Sequence, residues 1–124
     1  MRILGLGVDL CEIERVEYLL ERYPEFPERC FTEVERAYAG RFARPARRYA
    51  ARFAGKEAVM KSLGTGWRRI RWTDVEITGG GPPRVNLYGT ARRRARSLGV
   101  TDVLITITHT DQTAMVMALA VGEH

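Results

Sequence analysis

At 124 residues with 45% apolar side chains, the chain can bury one core and is too short for a second domain of ordinary size, so residues 1–124 read as a single domain. Twenty Lys and Arg against fifteen Asp and Glu leave a formal net charge of +5, which suits an anionic partner such as a nucleotide, an acidic protein or a nucleic acid without choosing among them. Cys11 and Cys30 are too few for a disulfide framework or a zinc site, and no apolar run is long enough for a signal peptide or a membrane span. The expectation is a cytoplasmic protein with reduced thiols and no membrane contact.

Residues 2 to 10 are predicted as a strand with Leu4, Leu6, Val8 and Leu10 on one face and Gly5, Gly7 and Asp9 on the other. Two glycines beside a carboxylate leave a bare strip that another backbone or a ligand can approach, and glycines at a crowded helix crossing give the same pattern. From Ile13 the apolar residues Val16, Leu19, Leu20 and Tyr23 recur at helical spacing until Pro24 stops them. Thr32 and Glu35 form a capping-box signature for a short helix to about Ala39, closed by Gly40. Pro45 opens a long helix that Gly64 is placed to end.

Alternation over Trp72 to Thr78 and Arg84 to Tyr88 predicts a hairpin joined through Gly79-Gly80-Gly81-Pro82-Pro83. Thr90 is placed to cap a basic helix ending near Leu98-Gly99. Val103 to Thr108 and Ala114 to Val121 read as two more strands around His109-Thr110-Asp111-Gln112. Helices come first and strands mostly later, so the class is α+β.

The long helix carries the chain's only two lysines, Lys56 and Lys61, on either side of Glu57. An Arg-rich chain that keeps Lys at two such places points to a need for a compact ammonium. Glu57 and Lys61 are four apart and share a helix face, which by itself is an ordinary surface pair. If Asp9 comes close to Glu57, two carboxylates with few nitrogen or sulfur ligands suit Mg²⁺, which completes its shell with water and substrate phosphate. Lys61 adds positive charge, and the Gly64-Thr65-Gly66 turn offers N–H groups to an anion, although its place after a helix is not that of a P-loop. His109 follows a strand bearing Thr106 and Thr108. A carboxylate two residues from Cys11 argues against a thiol nucleophile.

Together these pieces resemble the small bacterial 4'-phosphopantetheinyl transferases, the holo-[acyl-carrier-protein] synthase family. The resemblance runs through Gly5-Leu6-Gly7-Val8-Asp9 with Ile13-Glu14-Arg15, Phe31-Thr32 with Glu35, Arg52-Phe53-Ala54-Gly55-Lys56-Glu57-Ala58 with Lys61 and Gly64-Thr65-Gly66, and Thr106-Ile107-Thr108-His109-Thr110-Asp111. Two departures stand out: Thr106 and Thr108 take the place of serines, and Gly55 replaces an Ala or Ser, which would loosen the helix there.

The resemblance implies an antiparallel-rich sheet with a long helix packed on it, assembled as a homotrimer with a site at each subunit interface. It implies Mg²⁺-dependent transfer of the 4'-phosphopantetheine group of coenzyme A to a serine of apo acyl carrier protein, in fatty acid biosynthesis, releasing adenosine 3',5'-bisphosphate. Asp9 and Glu57 would hold the metal, with Glu57, directly or through a metal-bound water, as the base and Lys61 neutralising charge on the phosphate. Arg52, His109 and Thr110 would contact the 3'-phosphate of coenzyme A. Gly64, Thr65, Gly66 and the Gly81-Pro82-Pro83 turn would enclose the adenosine, and Arg15 and Arg22 would receive the acidic carrier protein. A competing expectation is a nucleic-acid-binding module built on Arg68, Arg69, Arg71, Trp67 and Trp72, which explains the charge but leaves Asp9, Glu57 and the lysines without a role. A third is a catalytically dead scaffold of the same fold, against which the intact acid pair weighs.

Overall fold

The computed structural model describes residues 1–123. In chain order it contains β1 (Arg2–Glu12), α1 (Ile13–Arg22), α2 (Phe26–Cys30), α3 (Glu33–Ala39), α4 (Ala46–Ser62), a 3₁₀ turn (Trp72–Asp74), β2 (Val75–Thr78), β3 (Arg84–Leu87), α5 (Gly89–Leu98), β4 (Asp102–His109) and β5 (Thr113–Gly122). The antiparallel strands order as β1-β5-β4 in one sheet and β2-β3 in another. The α+β class and the long helix packed on an antiparallel sheet therefore match the expectation.

α4 is the axis of the molecule and is buried on almost every side, with Ala46, Ala50, Ala54, Ala58, Val59 and Met60 all in the core. It lies on β1 and β5 because both present small residues to it. A Cβ at Gly5 would collide with the carbonyl of Ser62, and one at Gly7 with the carbonyl of Ala58. Of the two origins for the glycine strip, the close helix crossing is the one found. The opposite face of the sheet is apolar and exposed: Leu6, Val8 and Leu10 on β1 pair across with Leu119, Met117 and Met115 on β5, and Leu104 continues the patch on β4.

Lys56 is the first correction. Its side chain is fully buried and turned away from Glu57, 2.7 Å from Glu35 Oε1, and donates to Trp72 O at 2.9 Å and to Val75 O. Glu35 completes the capping box of α3 by accepting from Thr32 N and also accepts from Ile77 N at 2.8 Å. One buried ion pair thus ties α3, α4 and β2 together, and one of the two lysines is structural.

Three smaller corrections follow. β2 starts at Val75 because Trp72 to Asp74 form a 3₁₀ turn, and β3 ends at Leu87. Thr90 does not cap α5 through its own turn; Asp74 does so from outside, accepting from Thr90 N at 2.8 Å and Thr90 Oγ1 at 2.6 Å. Gly55 has a packing reason that the helix propensity did not show, since Ile77 of β2 occupies the space a side chain would need.

Candidate active site

The first cluster grows out of the α4–β1 crossing. With no side chains at Gly5 and Gly7, the C-terminal half of α4 descends onto β1 and brings Lys61 to Asp9, the next residue on that face. Lys61 Nζ donates to Asp9 Oδ1 at 3.0 Å and to Val8 O at 3.2 Å, while Asp9 is largely buried. The lysine is therefore bound to Asp9, where the helical spacing had offered Glu57.

Glu57 lies half-buried beside them, and burial first, then the charge of Asp9, push its carboxyl above the usual carboxylate range, with Lys61 and Arg15 pulling the other way. Two carboxylates thus come together from separate elements, with Lys61 bound to one of them and the charge of Arg15 nearby. Among the described residues no three His, Cys, Asp or Glu side chains group into a protein-only metal cage. The donor set is thus two carboxylates, hard oxygen ligands of the kind Mg²⁺ takes when water and substrate phosphate complete its shell. Cys11 is pushed up to about 11, by burial first, Arg15 opposing, and the charges of Glu57, Asp9 and Glu12 adding to it. Its thiol stays protonated at neutral pH and is no nucleophile.

The second cluster is a groove of about 370 Å³ lined by Tyr38, Arg47, Arg48, Arg52, Gly79, Gly80, Gly81, Pro83, Thr106 and His109. Arg52 is buried, donates from Nη2 to Gly79 O at 3.2 Å, and keeps a buried Nε with no partner. Arg47 Nη2 sits 3.1 Å from His109 Nδ1. A guanidinium only donates, so in this contact Nδ1 stands as the acceptor. Arg47 and Arg48 escaped the sequence reading, although Arg48 and Arg52 are four apart in one helix, a spacing that marks a shared face.

The remaining candidates fall outside both clusters. The amides of Gly64 and Thr65 are not free for an anion: they donate to Lys61 O and Met60 O and close the C-terminus of α4, with Gly64 at φ 72°. Thr110 Oγ1 accepts from Gln112 N and Thr113 N in the β4–β5 turn and retains its own proton to donate. Pro82 and Gly66 line neither cluster. Arg15 is exposed beside the acids, and Arg22 is exposed at the end of α1. Trp72, offered above as part of a nucleic-acid surface, stacks internally on Phe53 at 4.7 Å and 18°.

The two clusters do not share a residue. Asp9 is on β1 and His109 on β4, the opposite edges of the three-stranded sheet, about 10 Å apart across β5. On α4, Arg52 and Glu57 point about 140° apart.

The model of the 4'-phosphopantetheinyl transferase superfamily matches residues 5–114. A holo-[acyl-carrier-protein] synthase of Solibacter usitatus is 48% identical over 112 residues, covering 87% of this chain and 90% of the relative. One of Moorella thermoacetica is 45% identical over 119 residues, covering 94% and 93%. Among solved structures, an acyl carrier protein synthase of Plasmodium yoelii with ADP bound superposes with a TM-score of 0.91 at 28% identity, covering 99% and 98% of the two chains. A holo-(acyl-carrier-protein) synthase of Bacillus anthracis in complex with coenzyme A (3',5'-ADP) does so at 0.80 and 27%, covering 99% and 100%.

Proposed function

The chain belongs to the 4'-phosphopantetheinyl transferase superfamily, and from there we propose that it transfers the 4'-phosphopantetheine group of coenzyme A to a serine of apo acyl carrier protein, serving fatty acid biosynthesis in the cytoplasm. The observation that carries this reading is the Asp9, Glu57 and Lys61 cluster in a chain 48% identical to a holo-[acyl-carrier-protein] synthase.

Asp9 and Glu57 would hold Mg²⁺, which when bound supplies Lewis-acid polarisation of the pyrophosphate. Glu57 would accept the proton of the attacking serine. The serine oxygen forms a bond to the phosphorus that carries the pantetheine arm. The bond from that phosphorus to the bridging oxygen breaks, and adenosine 3',5'-bisphosphate leaves. Lys61 neutralises charge growing on the transferred and leaving phosphates, staying on station because Asp9 and Val8 O anchor it.

Arg52, His109 and Thr110 take the 3'-phosphate, while Gly64, Thr65, Gly66, Pro82 and Pro83 border the adenosine. Arg15 stands beside the acids on the exposed side of α1, where with Arg22 it meets the acidic carrier protein.

A donor bound at the basic groove and attacked at the acid cluster needs the two brought together, and they lie on opposite edges of one sheet. The homotrimer supplies this by setting the β1 edge of one subunit against the β4 edge of the next. The exposed face of Leu6, Val8, Leu10, Leu104, Met115 and Met117 is the surface such an assembly would cover.

Intact-mass spectrometry of an apo acyl carrier protein incubated with this protein, coenzyme A and Mg²⁺ tests the reading. A gain of one phosphopantetheine that is lost with chelator is expected; no gain on several carrier proteins would overturn it.

A further inference from the structure

The basic groove holds three guanidinium groups from the first half of α4, Arg48 and Arg52 on one face and Arg47 beside them, and each has a dedicated support. Arg47 is held by His109 Nδ1. Arg48 lies over the ring of Phe42, 3.6 Å from its centroid, and Arg52 over the ring of Tyr38 at 4.5 Å. The two rings in turn pack edge-on at 5.2 Å and 67°. Tyr38 is also backed by the glycine turn, since a Cβ at Gly80 would meet its ring at 3.6 Å.

We propose that Tyr38 and Phe42 are positioning residues that pre-orient Arg52 and Arg48 for a phosphate monoester, and so make the groove select coenzyme A by its 3'-phosphate. This rests on the function proposed above. Three like charges on adjacent turns repel one another, and each Arg side chain carries about 2 kcal/mol of rotamer entropy to lose on binding. A ring face under a guanidinium holds it without consuming N–H donors, because the attraction is to the π face. The donors that Gly79 O and His109 Nδ1 do not take therefore stay available to a phosphate. Neither ring belongs to the hydrophobic core, whose aromatic members are Phe31 and Tyr49 with Phe26, Phe53 and Trp72 packed against them.

The test is steady-state kinetics with saturating apo acyl carrier protein and two donors, coenzyme A and its analogue lacking the 3'-phosphate. The wild-type chain is expected to favour coenzyme A. Tyr38→Leu and Phe42→Leu, made separately, are expected to raise KM for coenzyme A about tenfold. Neither should change KM for the dephospho donor or kcat for either donor, and Tyr38→Phe keeps the ring and the selectivity. Binding of adenosine 3',5'-bisphosphate and of adenosine 5'-phosphate, followed by calorimetry, gives the same comparison without turnover: only the bisphosphate weakens. Equal losses on both donors, or an unchanged donor ratio in both Leu variants, would overturn the proposal. A wild-type chain that transfers from both donors equally well also overturns it, by removing the 3'-phosphate from the groove. A wild-type chain that transfers from neither instead defeats the transferase reading. Should Tyr38→Leu fail to fold, Phe42→Leu carries the comparison alone.

Discussion

Glu57→Gln is expected to lower kcat for phosphopantetheine transfer by about 10²–10⁴, the usual worth of a positioned general base. Asp9→Asn should cost a comparable amount by removing half of the cation's protein ligands and the anchor of Lys61. Both substitutions are nearly isosteric, so the fold and its oligomeric state should survive, and circular dichroism with sedimentation checks that they do. The pH dependence has a definite sign. Glu57 must be ionised to act, and without the cation its pKa is raised, so log(kcat/KM) at low Mg²⁺ should fall on acidification with a midpoint above the ordinary carboxylate value of about 4.3, and saturating Mg²⁺ should move that midpoint down.

The same shift bears on stability. A carboxyl that binds its proton more tightly in the folded chain makes folding less favourable as pH rises from the ordinary carboxylate value through the raised one. A divalent cation offsets that cost, so Mg²⁺ should raise the unfolding midpoint of the wild type near neutral pH and leave Glu57→Gln unmoved. Equal stabilisation of both chains by Mg²⁺, or full activity in either variant, would remove the acid pair from the site.

The second large effect is on stability. Glu35→Ala or Lys56→Ala strands a fully buried charge, a loss of about 3–5 kcal/mol. For a domain of this size that lowers the thermal midpoint by roughly 10–20 °C. The double replacement Glu35→Leu with Lys56→Met should recover much of the loss, because removing both charges together leaves none unpaired. Calorimetric midpoints decide it: a single variant within a few degrees of wild type would mean that water reaches the pair.

The two lysines show how far residue order alone carries. Position on the helix marked Lys56 and Lys61 equally, yet their consecutive-turn geometry turns one into the core and the other to Asp9. Which is which depends on β2, whose Val75 and Ile77 backbone groups are fixed only after the chain has folded back on itself. The capping box, the Pro24 and Gly64 stops and the strand alternation were legible because each is a rule among near neighbours. The five-residue α2 is too short to show a period. Asp74 acting as the cap of α5 is a contact across sixteen positions, which no local signature reports. Asp9 and Glu57 could be named beforehand as carboxylates at family-like spacing, while their coming together beside Lys61 required the α4–β1 crossing.

Because the carboxylates sit by one sheet edge and the guanidinium groove by the other, a defect in one leaves the other intact. In the proposed trimer each interface joins the acid side of one chain to the basic side of its neighbour. Two inactive alleles, Glu57→Gln and Arg52→Ala, should then rescue each other when their products are denatured together and allowed to reassemble. Random mixing leaves about a quarter of the interfaces with both halves sound, since each half is independently good half the time. Recovery of activity on mixing, absent from either product alone, would count the subunits in the site genetically; a mixture as dead as its parents would confine the reaction to a single chain.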